Sequence, residues 1–408
     1  MLFLYIDPGT GSMLLSVLLG AIATLYFLFQ SIIIKMKTFF AGGNVKNVSA
    51  TTHQFVVYCE DKRYVNLFKP VLDEFEKQKT QVFYLSYSED DPAFSRGYNY
   101  VSTKAIGEGN KAYAYLNFLS ANIVLMTTPG LHVYQLKRSK NVRHYSFLEH
   151  AIADSTQYRL FGLDHFDSLL VNSDYQIPHL RQIEQKRNYA PRKIVTVGCT
   201  YLDVFAEKVK QIEKEDDHPF TVLVSPSWGA SGLLTLYGKV LLGELIKTGW
   251  RIIVRPHPQS KISEAEMLKD LTKLYEKESN IVWDYAAENI NSLSKADIMI
   301  SDFSGIIFDY VFLFDKPVLY NNQQFDIRPY DSFIIDEELW QFKTLRKIGI
   351  ELKEEMFPTI KKFIMDIKDN DELRKARRDV KAEGWMHQGE AAKRIVDFMI
   401  KTAAEANI

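Results

Sequence analysis

The stretch EKVKQIEKEDDHPFTVLVSPSWG, residues 207–229, decides how the chain is divided. Its first half is crowded with Lys, Glu and Asp and ends at Pro219. Its second half is an apolar run, Phe220 to Val224, that stops at Ser-Pro-Ser-Trp-Gly. A solvated helix end running into a buried strand and a turn marks a place where one α/β unit stops and another begins.

Strands and helices alternate on both sides of that boundary. Upstream, apolar runs predict strands at 53–60 (HQFVVYCE), 81–87 (QVFYLSY), 121–130, 166–173 and 192–199, with an amphipathic helix over 64–79 despite Pro70. Downstream, they predict strands at 220–225, 251–256, 280–284, 296–301 and 316–321. Two βαβ units in series follow, each with its ligand crevice at the carboxyl ends of its strands. A chain of 408 residues exceeds what one core fills. No repeat of 20–50 residues recurs, which excludes a solenoid.

With 50 Lys and Arg against 51 Asp and Glu, the net charge of −1 argues against a nucleic-acid partner and confines any anion site to a local patch. Cys59 and Cys199 stand far apart, the pattern of neither a disulfide framework nor a zinc site. No carboxylate cluster with convincing metal spacing is seen, so no metal and no cofactor is expected.

The amino terminus differs from the rest. Residues 13–34, MLLSVLLGAIATLYFLFQSIII, are 22 residues without a charge, enough for a helix of roughly 33 Å across a hydrocarbon core. Asp7 precedes the run and Lys35 and Lys37 follow it, which predicts a single-pass anchor in the cytoplasmic membrane with the remaining domains cytoplasmic. The expected organisation is a membrane anchor over 1–37, a first domain over 45–206, a second over 218–385 and a C-terminal helix over 386–408.

Four strand-end loops carry candidate chemistry. In VRPHPQS, two prolines end a strand and set Arg255 and His257 two residues apart, a guanidinium for phosphate oxygens and an imidazole for hydrogen bonding or proton transfer. The plainer alternative pairs Arg255 with a carboxylate and makes His257 a turn cap. In SDFSGIIFD, Ser304 and Gly305 fall at a helix amino terminus, a site for anions. Asp302 reads either as a ligand contact or as the helix cap, and Asp309, two turns in, as a contact to ribose. In VSPSWGASG, a tight loop offers Ser227 and Trp228, with Trp228 read as packing rather than stacking. Neither GxxxxGK[ST] nor GxGxxG is present there. In the first domain, Glu149 beside His150 has the composition of a general base, with His144, Asp164 and His165 as rivals. The basic run KRSKNVRH, 137–144, reads as a solvated loop, or as a contact for anionic lipid or acceptor phosphates.

Taken together, FLEHAIADSTQYRLFGLDHFD, VSPSWG, RPHPQS and SDFSGIIFDYVFLFDKPVLYNN resemble, in this order, the CDP-glycerol glycerophosphotransferase family, over roughly residues 120–330. That resemblance implies a GT-B fold, two Rossmann-like domains facing across a cleft, here behind an N-terminal transmembrane helix. It implies transfer of a polyol phosphate from a CDP-activated donor to a hydroxyl of a glycan or lipid-linked acceptor at the membrane, as in teichoic acid synthesis. By the same resemblance His150 and His257 are catalytic. The resemblance makes Arg255, Asp302, Ser304, Gly305 and Asp309 the expected substrate contacts, and Ser227, Trp228 and Glu149, read from their own loops, are expected to join them. The chain departs from the family pattern at Ala151, where a glycine or serine is expected after the histidine, and at Gly305, where a second serine is expected. Two other readings stay open: a GT-B glycosyltransferase using a nucleotide-diphosphate sugar, and an inactive membrane-anchored homologue.

Overall fold

The computed structural model describes residues 52–213, 218–286, 288–321 and 326–405. The expected membrane segment, 13–34, lies outside them; among the described residues no helix is long and apolar enough to cross a membrane.

The first domain is a seven-stranded parallel sheet: β1 His53–Cys59, β2 Val82–Ser86, β3 Val101–Ala105, β4 Ala121–Met126, β5 Val142–Leu148, β6 Ser168–Val171 and β7 Lys193–Thr196. Their spatial order is β3-β2-β1-β4-β5-β6-β7. The second is a six-stranded parallel sheet: β8 Thr221–Val224, β9 Arg251–Val254, β10 Ile281–Trp283, β11 Ile298–Ser301, β12 Val318–Tyr320 and β13 Gly349–Glu351. Their order is β10-β9-β8-β11-β12-β13. Helices cover both faces, so the central strands are buried on each side and read as unbroken apolar runs such as Ile252–Val254.

Three strands were not expected from the sequence. β3 (VSTKA) is an edge strand with alternate residues exposed. β5 (VRHYSFL) begins inside the basic run, and β13 has only three residues. None carries an apolar run of its own, because each borrows its hydrogen bonds and part of its burial from a neighbour.

In each sheet the winding direction reverses once, between β1 and β4 and between β8 and β11. A parallel sheet opens a crevice at the carboxyl ends of such a pair, because the connecting helices leave in opposite directions. Four loops therefore define the cleft: 60–64, 127–130, 225–232 and 302–305.

The domains are held together by apolar and polar contacts. Ile152, Cys199 and Leu202 of the first join Ile307, Phe308 and Val311 of the second in one core. The C-terminal helix Ala391–Glu405 returns to the first domain, where Ile395, Val396, Phe398 and Met399 pack with Phe55, Phe68 and Phe75. Full burial of each such side chain is worth about 1.5–3 kcal/mol. Arg187 of the first domain is buried between Asp164 and Asp331, and Arg159 and Tyr330 form an antiparallel bridge across the cleft edge.

Candidate active site

Two cavities meet at Gly305, which lines both. The smaller, about 280 Å³, lies between the domains and is lined by Arg63, Tyr64, Asn66, His150, Tyr201 and Asp309. The larger, about 470 Å³, lies on the second domain and is lined by Ser227, Trp228, His257, Ser304, Asp326 and Tyr330. Its size is in the range that holds a nucleotide-sized ligand, about 300–1,000 Å³.

His150 follows β5 directly. Its Nδ1 lies 2.7 Å from the Thr127 hydroxyl, and that hydroxyl donates to the Leu148 carbonyl at 2.8 Å. The Tyr158 hydroxyl, 3.3 Å from the same Nδ1, donates to Glu149 at 2.5 Å. Both hydroxyl protons are committed elsewhere, so toward His150 both oxygens accept and Nδ1 carries the proton. Nε2 is then the basic nitrogen. Burial, with the nearby Arg63 charge second, lowers the pKa of His150 to about 4. The imidazole is therefore neutral at physiological pH, the state a proton acceptor needs. The edge of the ring packs against Tyr64, centroids 5.0 Å apart.

His257 shows the opposite arrangement. Its Nδ1 accepts from the Gln259 amide at 3.1 Å, so the proton of the neutral ring sits on Nε2. Burial and then Arg63 lower its pKa, keeping the ring neutral. One histidine thus offers an acceptor nitrogen to the cleft and the other a donor.

The loops around His257 are organised by Asp302. Its buried carboxylate accepts from the amides of Ser227 at 2.9 Å, Leu233 at 3.0 Å and Ser304 at 3.2 Å, which ties together the loops after β8 and β11. Asp302 lines neither cavity and is the loop cap, not the expected ligand contact. The same ties fix the path of the β8 loop. At Gly229 φ is +96°, and a Cβ at Gly232 would stand 2.9 Å from the Ser227 carbonyl oxygen. Ser304 and Gly305 line the junction of the cavities and lead into the helix Ile306–Phe314, which places the positive end of its dipole there, while the Ile307 and Phe308 amides bond back to the Ser304 and Gly305 carbonyls.

Two further expectations are corrected. Arg255 is buried, donates to Asp284 and to the Ala286 carbonyl, and lines neither cavity. Asp284 ends the adjacent edge strand β10, so the guanidinium finds its anion inside the sheet edge and does not turn to the cleft. Glu149 is buried and accepts from the amides of His150 and Ala151, from Ser155 and from Tyr158. It fixes the turn that carries His150 and contacts neither the imidazole nor a cavity. Trp228, expected to pack, is 48% exposed and faces His257 across 6.3 Å. Asp309 accepts from Tyr201 of the other domain at 2.6 Å, and burial raises its pKa to about 7. Of the rivals, His144 bonds Ser168 on the sheet and Asp164 pairs with Arg187. His165 packs against His132, and none of the three lines a cavity.

The sequence reading missed Arg63, Tyr64, Thr127 and Tyr201. Arg63 is the cation that lines the cleft: it pairs with Asp61 at 3.1 Å, its side chain stays 70% exposed, and its charge acts on both histidines. Its signal was its position, four residues beyond the end of β1, where a switch-point strand feeds the crevice.

Two parallel-sheet domains, with the cleft at their switch points and a helix amino terminus at its floor, define a GT-B architecture. A family model described as CDP-Glycerol:Poly(glycerophosphate) glycerophosphotransferase matches residues 147–401, and the chain belongs to that family, as a CDP-glycerol glycerophosphotransferase-like enzyme. Among solved structures, the wall teichoic acid polymerase TagF aligns with a TM-score of 0.58 at 15% identity, covering 94% of this chain and 97% of that one. A histidine-to-asparagine variant of TagF soaked with CDPG aligns at 0.56 and 14% identity, covering 96% and 99%. An S. aureus MnaA–UDP co-structure aligns at 0.59 and 12% identity, covering 87% and 97%. At these identities the likeness concerns the fold. No curated protein sequence matches the chain.

Proposed function

We propose that the protein transfers glycerol phosphate, or a similar polyol phosphate, from its CDP-activated form to a hydroxyl of a glycan or lipid-linked acceptor, at the cytoplasmic face of a membrane to which residues 13–34 anchor it. The nucleotide occupies the larger cavity, with Trp228 against the base. The diphosphate lies at the Gly305 junction, and the acceptor enters through the smaller cavity. The acceptor oxygen attacks the polyol-bearing phosphorus and gives its proton to His150 Nε2. As the new O–P bond forms, the bond to the bridging oxygen breaks, and that oxygen leaves with its electron pair as CMP. His257 Nε2–H, the positive dipole end of the Ile306–Phe314 helix and Arg63 meet the charge that develops on the phosphoryl and leaving oxygens. Such a reaction depends chiefly on positioning and charge stabilisation.

The observation that carries this reading is the pair of neutral histidines in opposite tautomers on either side of Gly305. Incubation of the full chain with CDP-glycerol, CDP-ribitol and UDP-sugars, scored for released nucleotide, tests it. CMP released from a CDP-polyol together with a new phosphodiester is the expected result. UDP released with a new glycoside would replace the reading with a glycosyltransferase.

A further inference from the structure

Every strand of the first sheet runs parallel, so its two ends differ completely: carboxyl ends at the cleft, amino ends opposite. The opposite end has a distinct chemistry. From Gly109 to Leu148 the chain contains no Asp or Glu but holds Lys111, Lys137, Arg138, Lys140 and Arg143. Four of these five come together there. The Lys137 amide bonds Asn117 at 2.8 Å, next to Phe118, and the Ala121 amide bonds the Asn141 carbonyl at 3.1 Å. Arg138 is held by Asp167, whereas Lys137, Lys140 and Arg143 are exposed and have no ion-pair partner among the described residues. Phe118 is 51% exposed in their midst. Arg143 projects past the start of β6, which pairs with β5 only from Ser146 onward.

The described chain begins at this same end. The Thr52 hydroxyl lies 3.0 Å from that of Ser120, two residues from Phe118. Only the 17 residues 35–51 separate Thr52 from the uncharged run 13–34, a tether of at most about 60 Å when fully extended.

We infer that this face, with Phe118 at its centre and Lys137, Lys140 and Arg143 around it, docks on an anionic lipid surface. The inference rests on the membrane reading above and adds which end of the molecule faces the bilayer. Unpaired cations beside an exposed aromatic ring suit a negatively charged headgroup layer, and the tether delivers the face to it. The cleft then stands about 25 Å from the lipid, the length of a seven-residue strand such as β1. A hydroxyl at the far end of an elongating chain reaches that height, and one on a lipid headgroup does not.

The two native cysteines are buried, so Phe118→Cys can be labelled selectively with an environment-sensitive fluorophore. The full-length labelled chain is reconstituted in phosphatidylcholine vesicles with and without phosphatidylglycerol, and flotation is read in parallel. The expected result is a blue-shifted, brighter emission only with phosphatidylglycerol. Added salt should reverse it, and the triple variant Lys137→Glu, Lys140→Glu, Arg143→Glu should lose it while still floating. Removing the three cations should weaken docking on the order of 100-fold. Flotation with unchanged, water-like emission in both vesicles would overturn the docking face and leave the anchor standing. Flotation only with phosphatidylglycerol would keep the docking face and remove the anchor, and flotation with neither would refute both.

Discussion

Tyr201 of the first domain donates its hydroxyl hydrogen to Asp309 Oδ1 of the second at 2.6 Å, on the wall of the cavity that His150 also lines. Burial raises the Asp309 pKa from 3.8 to about 7. Between those values the folded chain holds a proton that the unfolded chain has lost, so the Asp309 contribution to stability falls as pH rises from about 4 to 7. Asp309→Asn removes this dependence. We expect the variant to match the parent near pH 4 and to exceed it at pH 8 by about 2 kcal/mol, from 1.36 kcal/mol per unit discounted for partial exposure. Denaturant melts across that range check the sign. The same ionisation brings a negative charge beside the diphosphate, so turnover should decline above pH 7 in the parent and not in Asp309→Asn.

The acidic side of the rate profile belongs to His150. With its pKa lowered to about 4, activity should persist well below the pH at which an ordinary histidine base protonates. Arg63→Gln removes one of the two lowering causes, so the acidic limb should move up in pH while donor KM rises. Thr127→Val takes away the oxygen that holds the Nδ1 proton and should reduce kcat on the order of tenfold or more at unchanged KM. A profile indifferent to both substitutions would remove His150 from the proton's path.

Asp302 bridges three amides and touches no cavity. Each buried amide left without an acceptor costs about 1–3 kcal/mol, so Asp302→Ala should lose roughly 3 kcal/mol or more with no ligand present. Asp302→Asn keeps one acceptor oxygen and should lose less. Unchanged denaturant midpoints in both would show that the carboxylate does not hold the loops.

At Gly305 the φ angle is −60°, and an added Cβ would meet nothing within 4 Å. The backbone does not require glycine there. Gly305→Ser should leave stability within about 0.5 kcal/mol and lower the donor KM roughly threefold by supplying a hydroxyl at the diphosphate position. A raised KM would mean that the open space itself is used.

The alternation that defines the two domains was legible because buried parallel strands must be apolar on both faces, as at Val222–Val224 and Ile298–Ile300. β3 and β13 were hidden because a short or edge strand needs no such run. His257, Ser304 and Gly305 were legible from the crevice rule, since each follows a strand that ends in a turn. The fate of Arg255 was not. Its partner Asp284 is 29 residues away, and the pairing depends on β9 and β10 being neighbours, which no local pattern states. Arg63 was hidden for the opposite reason: in CEDKRY a single arginine among charged residues reads as solvent-facing until the reversal between β1 and β4 shows what that loop adjoins.

The most direct measurement is CMP release from CDP-glycerol by the full-length protein, compared with His150→Ala and His257→Ala. The account predicts acceptor-dependent release by the parent and a loss of about 100-fold or more in each variant, with denaturant midpoints showing both still folded. Release at the parental rate by either folded variant would contradict it.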